Sequence, residues 1–271
     1  MNRRQLWISL LLLWSLAPML WQLISSFTTT AALVDGGVPF LQRWTLIHYR
    51  QLLSSDPPFW RFLLNSTVLA SASTVLTIAL AIPAAYGLVR LPQQWLRVSR
   101  ALIAGAALFP YVLLFLALLE LARSLNLGNS LLALAIPYSA LSLPLALLLL
   151  TAAFEGLPKD LDDAAKLEGM SLVQRLRWVL IPLIAPATAS TAILVFLFAW
   201  NEYPIALTWL SRSEQLTLPV AMARIAGSSV YSVPYGAYAA ATVLGALPLL
   251  LLVLLFQRQI VSGLTNGAVK G

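Results

Sequence analysis

The sequence EGLPKDLDDAAKLEGMS, residues 155–171, is a polar segment in the middle of an otherwise apolar chain. Pro158 and Asp160 favour the start of a helix, because proline suits a first helical turn and an acid there faces the positive end of the helix dipole. Gly169 favours the end of the same helix, where a left-handed residue is common. The segment therefore predicts a short polar helix with a defined start and stop.

The residues after Gly169 predict a second helical stretch. Ser171 is suited to cap a helix from Leu172 to Leu180, which we expect to end at Pro182. On the first helix, four residues share one face by helical spacing: Leu161, Ala164, Ala165 and Glu168. A polar helix of about two turns is not stable alone in water. It docks either on another protein or on its own chain, and the spacing leaves both possibilities open.

The rest of the chain is suited to a membrane. It is 60% hydrophobic and 10% charged over 271 residues, whereas soluble domains carry roughly 25% charged residues. A transmembrane helix needs about 20 apolar residues. Six stretches qualify: Leu6–Phe27, Trp60–Leu88, Ala101–Leu121, Ser130–Phe154, Leu183–Tyr203 and Tyr235–Phe256. They are too long for barrel strands, so we predict an all-α membrane protein with six transmembrane helices, the first retained rather than cleaved as a signal peptide.

The positions of lysine and arginine predict the orientation of these spans. With the N-terminus inside, 11 of the 17 basic residues are cytoplasmic. These are Arg3, Arg4, Arg90, Arg97, Arg100, Lys159, Lys166, Arg175, Arg177, Arg258 and Lys270. Basic residues favour the cytoplasmic side of a membrane. Both termini, and the polar segment, are therefore predicted to be cytoplasmic.

Several classes of function find no support in the composition. The formal net charge of +7 does not indicate nucleic acid, because the basic residues lie at the ends of apolar runs and form no single patch. There are no cysteines, and His48 is the single histidine, so no thiolate metal site or histidine cluster is available. The chain contains no Gly-x-x-x-x-Gly-Lys-Ser/Thr sequence, so we do not expect it to hydrolyse ATP itself.

Proline recurs inside the predicted spans and permits two interpretations. The residues are Pro83, Pro110, Pro137, Pro144 and Pro248. Each removes a backbone donor and tends to kink a helix. Broken helices line cavities in transporters, but membrane helices also tolerate proline without such a role.

The polar segment resembles the EAA loop of ABC importer permeases. Asp163-Ala164-Ala165 is followed after three residues by Gly169, and after nine more by Val179-Leu180-Ile181-Pro182. Asp163 stands where the family usually has glutamate, and the spacing matches throughout. The resemblance implies a coupling helix that seats on a cytoplasmic ATPase. The residues it assigns to that contact are Asp163, Ala164, Ala165, Leu167, Gly169 and Pro182.

Further segments resemble the maltose-type carbohydrate permeases within that superfamily. They are Asn65-Ser66, the stretch 84–90, Phe109-Pro110, the stretch 154–158 and the stretch 198–203. The C-terminal segment 263–271 is similar to the tail of the shorter, six-span subunit. In its relatives this tail reaches between the ATPase subunits, which implies ATPase contacts for Asn266, Gly267 and Lys270.

The resemblance implies the type I permease fold of ABC importers, in a multi-pass protein of the bacterial inner membrane that imports a sugar, a polyol or a glycoside. Implied partners are a second homologous permease, two cytoplasmic ATPase subunits and an external solute-binding protein, besides membrane lipid. ATP and Mg²⁺ would belong to the ATPase subunits, with no cofactor on this chain. We expect residues 1–59 to hold the first span and an outer loop, 60–258 the core permease domain with the coupling loop 155–182, and 259–271 a cytoplasmic tail.

A substrate path or binding-protein contact is a hypothesis for four residues at the end of the fifth span: Trp200, Asn201, Glu202 and Tyr203. Aromatic faces and hydrogen-bonding groups hold sugars. An interfacial aromatic belt, or a helix-end role for the polar pair, is an equally available interpretation. The alternative functions are an ABC permease for amino acids, polyamines or phosphate, a secondary transporter and a membrane-embedded enzyme. The nearly charge-free span centres disfavour the secondary transporter.

Overall fold

The structure is a computed structural model, and it describes residues 3–34, 44–227 and 234–268. Its described residues form helices and turns, without β-strands. The first helices are α1 (Arg3–Ser26), α2 (Thr30–Val34), α3 (Ile47–Leu53), α4 (Phe59–Val89), α5 (Gln93–Leu108) and α6 (Phe115–Ser124). They are followed by α7 (Ala135–Glu155), α8 (Lys159–Leu167), α9 (Leu172–Gln174), α10 (Ile181–Asn201), α11 (Pro204–Trp209), α12 (Leu218–Ala226) and α13 (Tyr235–Ala268).

Among the residues that the structure describes, five helical stretches are long and apolar enough to cross a membrane. They are Arg3–Ser26, Phe59–Val89, Ala135–Glu155, Leu172–Asn201 and Tyr235–Gln257. A sixth span is possible only if α5 and the segment Tyr111–Ser124 are counted together, although they meet at an angle of 76°. The predicted all-helical membrane fold is therefore confirmed, with five or six spans by length and composition.

The prediction of a continuous third span, Ala101–Leu121, is wrong. The helix α5 ends at Leu108, and Phe109 has extended backbone angles of φ −66° and ψ 130°. Proline disfavours the helical conformation in the residue before it and cannot donate a backbone hydrogen bond. Pro110 therefore breaks this span, and helical structure resumes in a 3₁₀ turn at Tyr111.

The fifth span begins earlier than predicted. The stretch expected to end at Pro182 instead runs from α9 through a π-helical segment, Arg175–Leu180, directly into α10. Pro182 lies in the first turn of α10, where the ring is tolerated, and the widened π turn comes immediately before it. Pro182 thus belongs to the continuous span and does not terminate a loop helix.

The chain divides into two compact units, residues 1–65 with 216–251 and residues 66–215 with 252–271. In the first unit, His48 is buried and Nε2 donates to the carbonyl oxygen of Thr28 over 3.0 Å. An ideal Cβ on Gly236 would lie 2.1 Å from the same Nε2 atom, so the ring packs against a position without a side chain. His48 is thus a packed residue, and it lies in the helix α3.

The second unit has a core in which small residues alternate with large ones. Ala81, Ala85 and Ala146 pack with Leu150, Phe154, Leu180, Ile184 and Val195. Ser139 Oγ also donates to the carbonyl oxygen of Ser73 over 3.1 Å, between α7 and α4. Small side chains and hydroxyls at helix contacts let membrane helices approach closely. These contacts pack α4 against α7 and the fifth span, the two elements that flank the polar segment.

Candidate functional site

The polar segment forms the predicted helix, α8. Its N-cap is Pro158, and the acids Asp160 and Asp162 lie in its first turn. Gly169 has a φ of +78°, in the left-handed region, as the sequence predicted. The amide of Gly169 donates to Lys166 O over 2.9 Å, and the amide of Met170 donates to Ala165 O over 3.1 Å. These two bonds complete the Schellman motif that ends a helix.

The chain then turns directly into the next helix. Ser171 Oγ accepts from the amide of Gln174 over 3.4 Å, while Gln174 Oε1 accepts from the amide of Ser171 over 2.8 Å. This reciprocal pair is a capping box. The predicted capping role of Ser171 is confirmed, and both ends of the turn between α8 and α9 are fixed by local hydrogen bonds.

Only part of the predicted face of α8 is buried. Ala165 packs inward, whereas Leu161, Ala164 and Glu168 are exposed. Leu167, near the end of the helix, has 91% of its surface exposed. Leu167 therefore adds an exposed apolar side chain to a helix that is otherwise mostly polar. We refer to the exposed residues Asp163, Ala164 and Leu167 as the docking face of α8.

The buried side of α8 carries a charge cluster that the sequence analysis did not identify. Asp162 is only 3% exposed. Its carboxylate accepts from Arg175 Nη1 over 2.8 Å and from the Tyr86 hydroxyl over 3.0 Å. It also pairs with Lys166 Nζ at 3.2 Å and with Arg90. We call these five residues the Asp162 cluster.

The Asp162 cluster joins three stretches of chain. Tyr86 lies near the end of α4 and Arg90 follows that helix, Asp162 and Lys166 lie on α8, and Arg175 begins the π segment of the fifth span. The Arg90 guanidinium also lies over the Tyr86 ring, 5.0 Å from its centroid. A sequence signal was available in the Lys166 position, four residues after Asp162. The contacts to α4 are remote in sequence and had no local signal.

Asp163, the acid that the family resemblance selected, is exposed, and it contacts the Asp162 cluster through Lys166. It accepts a hydrogen bond from Lys166 Nζ over 2.8 Å. That hydrogen bond, and then the positive charge of Lys166, lower the pKa of the exposed Asp163 carboxyl below its usual value. The docking face therefore keeps an ionised acid at neutral pH.

The four residues at the end of the fifth span occupy different environments. Trp200 is buried and stacks on Phe196 at 5.7 Å, and Glu202 is also buried. Glu202 accepts from the amides of Ile205 (2.8 Å) and Ala206 (3.0 Å) and from the Tyr138 hydroxyl. These bonds support the helix-end interpretation for Glu202, because they satisfy free amides at the start of α11.

Asn201 and Tyr203 differ from these two in having exposed side chains. Asn201 Nδ2 donates to the carbonyl oxygen of Leu197 within its own helix, over 2.7 Å. Of the tail residues, Asn266 and Gly267 lie in the backbone of α13, and Lys270 lies outside the described residues. No substrate role for Asn201 or Tyr203 follows from their local contacts, and the ATPase contacts of the three tail residues stay a prediction.

A cavity of about 700 Å³ lies in the second unit beside the break at Phe109. Its lining includes Tyr111, Ser142, Pro144 and Phe198, and most of its surface is apolar. The Tyr111 and Phe198 rings meet edge to face at 5.4 Å. The cavity is lined by Pro144, one of the prolines noted in the sequence, and by residues of the broken span. The sequence did not predict where this cavity lies.

Several membrane-length helices, with a capped polar helix between two of them, define a polytopic membrane protein. The chain belongs to the family described as the inner membrane component of binding-protein-dependent transport systems, whose model matches residues 5–266. It is a multi-pass inner membrane protein, and the expected family is confirmed.

Relatives in other bacteria and archaea match over nearly their whole length. The sulfoquinovosyl glycerol transport system permease protein SmoH of Agrobacterium fabrum is 39% identical, over 97% of this chain and 92% of the relative. The trehalose transport system permease protein SugB of Mycobacterium tuberculosis is 37% identical, over 95% and 93%. The trehalose/maltose transport system permease protein MalG of Thermococcus litoralis is 38% identical, over 94% and 92%.

Solved structures share the fold. A chain of a bacterial ABC transporter that imports the acidic polysaccharide alginate aligns with a TM-score of 0.76 and 21% identity, covering 94% of both chains. A second alginate transporter structure, in complex with an alginate pentasaccharide-bound periplasmic protein, aligns with a TM-score of 0.64 and 15% identity, covering 93% of this chain and 96% of the other. These likenesses confirm the ABC importer permease fold.

Proposed function

We propose that this chain is one of two permease subunits of an ATP-driven importer for a sugar, or a related polyol or glycoside. The proposal rests on the geometry of α8. The buried Asp162 anchors this helix through its ion pair with Arg175, while Leu167 has 91% of its surface exposed. Leu167 therefore buries little apolar surface against the part of the chain that the structure describes. It is suited to insert into a groove on a second protein.

The second protein that fits α8 is an ATPase subunit on the cytoplasmic side. The docking face combines the ionised Asp163, the small Ala164 and the apolar Leu167. Small residues allow close backbone approach, while the leucine supplies buried area. The permease itself would hold no cofactor, and ATP with Mg²⁺ would bind the two ATPase subunits. The sequence carries no Gly-x-x-x-x-Gly-Lys-Ser/Thr phosphate loop of its own.

A sugar is the substrate class best supported by the relatives. Three of them, 37% to 39% identical, are named for trehalose, trehalose and maltose, or sulfoquinovosyl glycerol. The remaining partners are a second permease and an external binding protein. The alginate transporter complex also contains a periplasmic protein. Both termini would then be cytoplasmic, with Asn266, Gly267 and Lys270 of the tail near the ATPases.

The rival mechanisms receive less support. A secondary transporter needs ionisable groups inside its spans. Among the described residues, the buried acids are Asp162 and Glu202, and neither lies inside a span. A permease for another small solute would share α8 and differ in its cargo alone. For that reason the substrate has to be tested directly.

Reconstitution of the complete importer tests this function. The chain is co-expressed with the second permease, the ATPase and the binding protein encoded beside it, and placed in proteoliposomes. The binding protein is first titrated calorimetrically with trehalose, maltose and sulfoquinovosyl glycerol. We expect uptake of the bound sugar that requires both ATP and the binding protein. Uptake driven by an ion gradient without ATP, or a binding protein specific for an amino acid, contradicts the proposal.

A further inference from the structure

The position of the Asp162 cluster bears on how α8 is held. The helix is joined to the chain by two turns, one at Pro158 and one at Gly169, whose φ is +78°. A short helix between two turns is free to pivot unless its middle is also fixed. Asp162 lies between these turns, and its carboxylate contacts Tyr86 near the end of α4 and Arg175 at the start of the fifth span.

The contacts in the cluster are strong and partly shielded from water. Asp162 and Arg175 have side chains that are 4% and 12% exposed, whereas Arg90 and Lys166 are 38% and 43% exposed. A buried charge depends on its partners, because neither member can regain water when the other is removed. Arg90 and Lys166 can turn toward solvent, but Arg175 cannot. The pair between Asp162 and Arg175 is therefore the central contact.

Tyr86 reinforces this pair from α4. Its hydroxyl donates to Asp162 Oδ2 over 3.0 Å and accepts from Arg175 Nη1 over 3.2 Å. Arg175 Nη1 is thus shared between the carboxylate and the hydroxyl. A closed triangle of hydrogen bonds connects α8, α4 and the fifth span, and a displacement of α8 cannot occur without moving these spans or breaking the triangle.

We propose that Asp162 is a positioning residue that makes α8 move as one body with α4 and the fifth span. This inference rests on the proposed function, in which the docking face receives the movement of an ATPase. Asp162 itself lies on the buried side of α8, away from the docking face. It affects the docking face by holding the helix in place. Without the Asp162 charge, α8 would stay folded and would still bind the ATPase. The helix would, however, pivot when the ATPase moves. ATP hydrolysis would then continue with less transport.

The first test is Asp162→Asn in the assembled importer, with two readouts. One is the hydrogen-exchange rate of the α8 amides, and the other is the number of sugar molecules taken up per ATP hydrolysed. We expect exchange to rise at least about tenfold, because removing one partner of a buried ion pair is strongly destabilising, and uptake per ATP to fall at least about fivefold. Asp162→Glu, which keeps the charge, should recover most of the uptake. Asp160→Asn, an exposed acid of the same turn, should change neither.

The second test separates the cluster from a general folding defect. Tyr86→Phe removes two hydrogen bonds without changing the shape of the ring, and we expect a smaller fall in uptake per ATP with normal assembly. Asp162→Asn combined with Arg175→Gln should exchange more slowly than Asp162→Asn alone, because no cation is left buried without its anion. If Asp162→Asn does not assemble, Tyr86→Phe and Arg175→Gln decide the question.

The outcomes distinguish this inference from the proposed function. The positioning role is wrong if Asp162→Asn, or both Tyr86→Phe and Arg175→Gln, show wild-type exchange and wild-type uptake per ATP. The proposed importer function is unaffected by that result. An unmodified complex that shows no ATP-driven uptake overturns the proposed function. In that case, exchange of α8 in the purified chain still decides the structural part. In the purified chain, unchanged α8 exchange in Asp162→Asn overturns the claim that Asp162 positions this helix, and faster exchange supports the claim.

Discussion

The amide of Gly169 donates a hydrogen bond to the carbonyl oxygen of Lys166 over 2.9 Å, and the glycine has a φ of +78°. A Cβ at this position would meet no atom within 4 Å. Space is therefore not what requires glycine here. The requirement is the left-handed backbone conformation, which side chains disfavour.

The first prediction follows from this conformation. Gly169→Ala should destabilise the turn by about 1 kcal/mol, and Gly169→Val by more, because a branched side chain is least tolerated at positive φ. We expect the spans to insert normally while ATPase retention and uptake fall in the order glycine, alanine, valine. Copurification of the ATPase with each variant provides the measurement. Full retention and normal uptake in Gly169→Val would show that the loop is only a linker.

The second prediction concerns the contact between Gly236 and His48. An added Cβ would lie 2.1 Å from Nε2 of the buried ring, so Gly236→Ala should destabilise the protein by roughly 1–3 kcal/mol. Thermal unfolding in detergent measures the effect. Gly87→Ala, where a Cβ meets nothing within 4 Å, is the matched control and should not be destabilising.

A double variant checks the cause of that effect. Gly236→Ala should add little destabilisation once His48→Ala has removed the ring, because the two positions are in direct contact. If the two losses of stability add in the double variant, the effect of Gly236→Ala does not come from its contact with the His48 ring.

The third prediction distinguishes the two hypotheses for the end of the fifth span. Glu202 accepts from the amides of Ile205 and Ala206, so Glu202→Gln should lower the unfolding free energy by about 1–3 kcal/mol. Asn201→Ala, which loses only a bond within its own helix, should have little effect. A Glu202→Gln protein of normal stability that fails in uptake supports the substrate path instead.

The fourth prediction concerns topology. Because 11 of 17 basic residues fall on one side of the predicted spans, reporter fusions at Thr30 and Gly128 should be external. Fusions at Gln94 and Lys159 should be internal. An external signal at Lys159 contradicts the account, since α8 could not then meet a cytosolic ATPase.

The features that the sequence predicted correctly depend on local interactions. Gly169 and Met170 end α8 by donating to carbonyl oxygens three and five positions back, and Ser171 forms its capping box with Gln174. Local backbone preference and side-chain chemistry determine such turns. The exposed leucine at position 167 also lies where the family resemblance placed a contact.

The features that the sequence did not predict depend on distant residues or on a choice between similar signals. Asp162 meets Tyr86 across 76 positions of the chain, which no local pattern records. Pro83, Pro144 and Pro248 lie inside continuous helices, while the chain breaks at Pro110. A proline permits a break, but packing around it decides whether the helix continues.

The most direct test of the account is site-specific cross-linking from Leu167. A photoreactive residue at this exposed position is introduced into the assembled importer, with Trp14, an exposed residue of α1, as the control position. The account predicts a cross-link from position 167 to the ATPase subunit, and none to it from position 14. An importer that transports sugar while position 167 captures no ATPase contradicts the claim that α8 is the coupling helix.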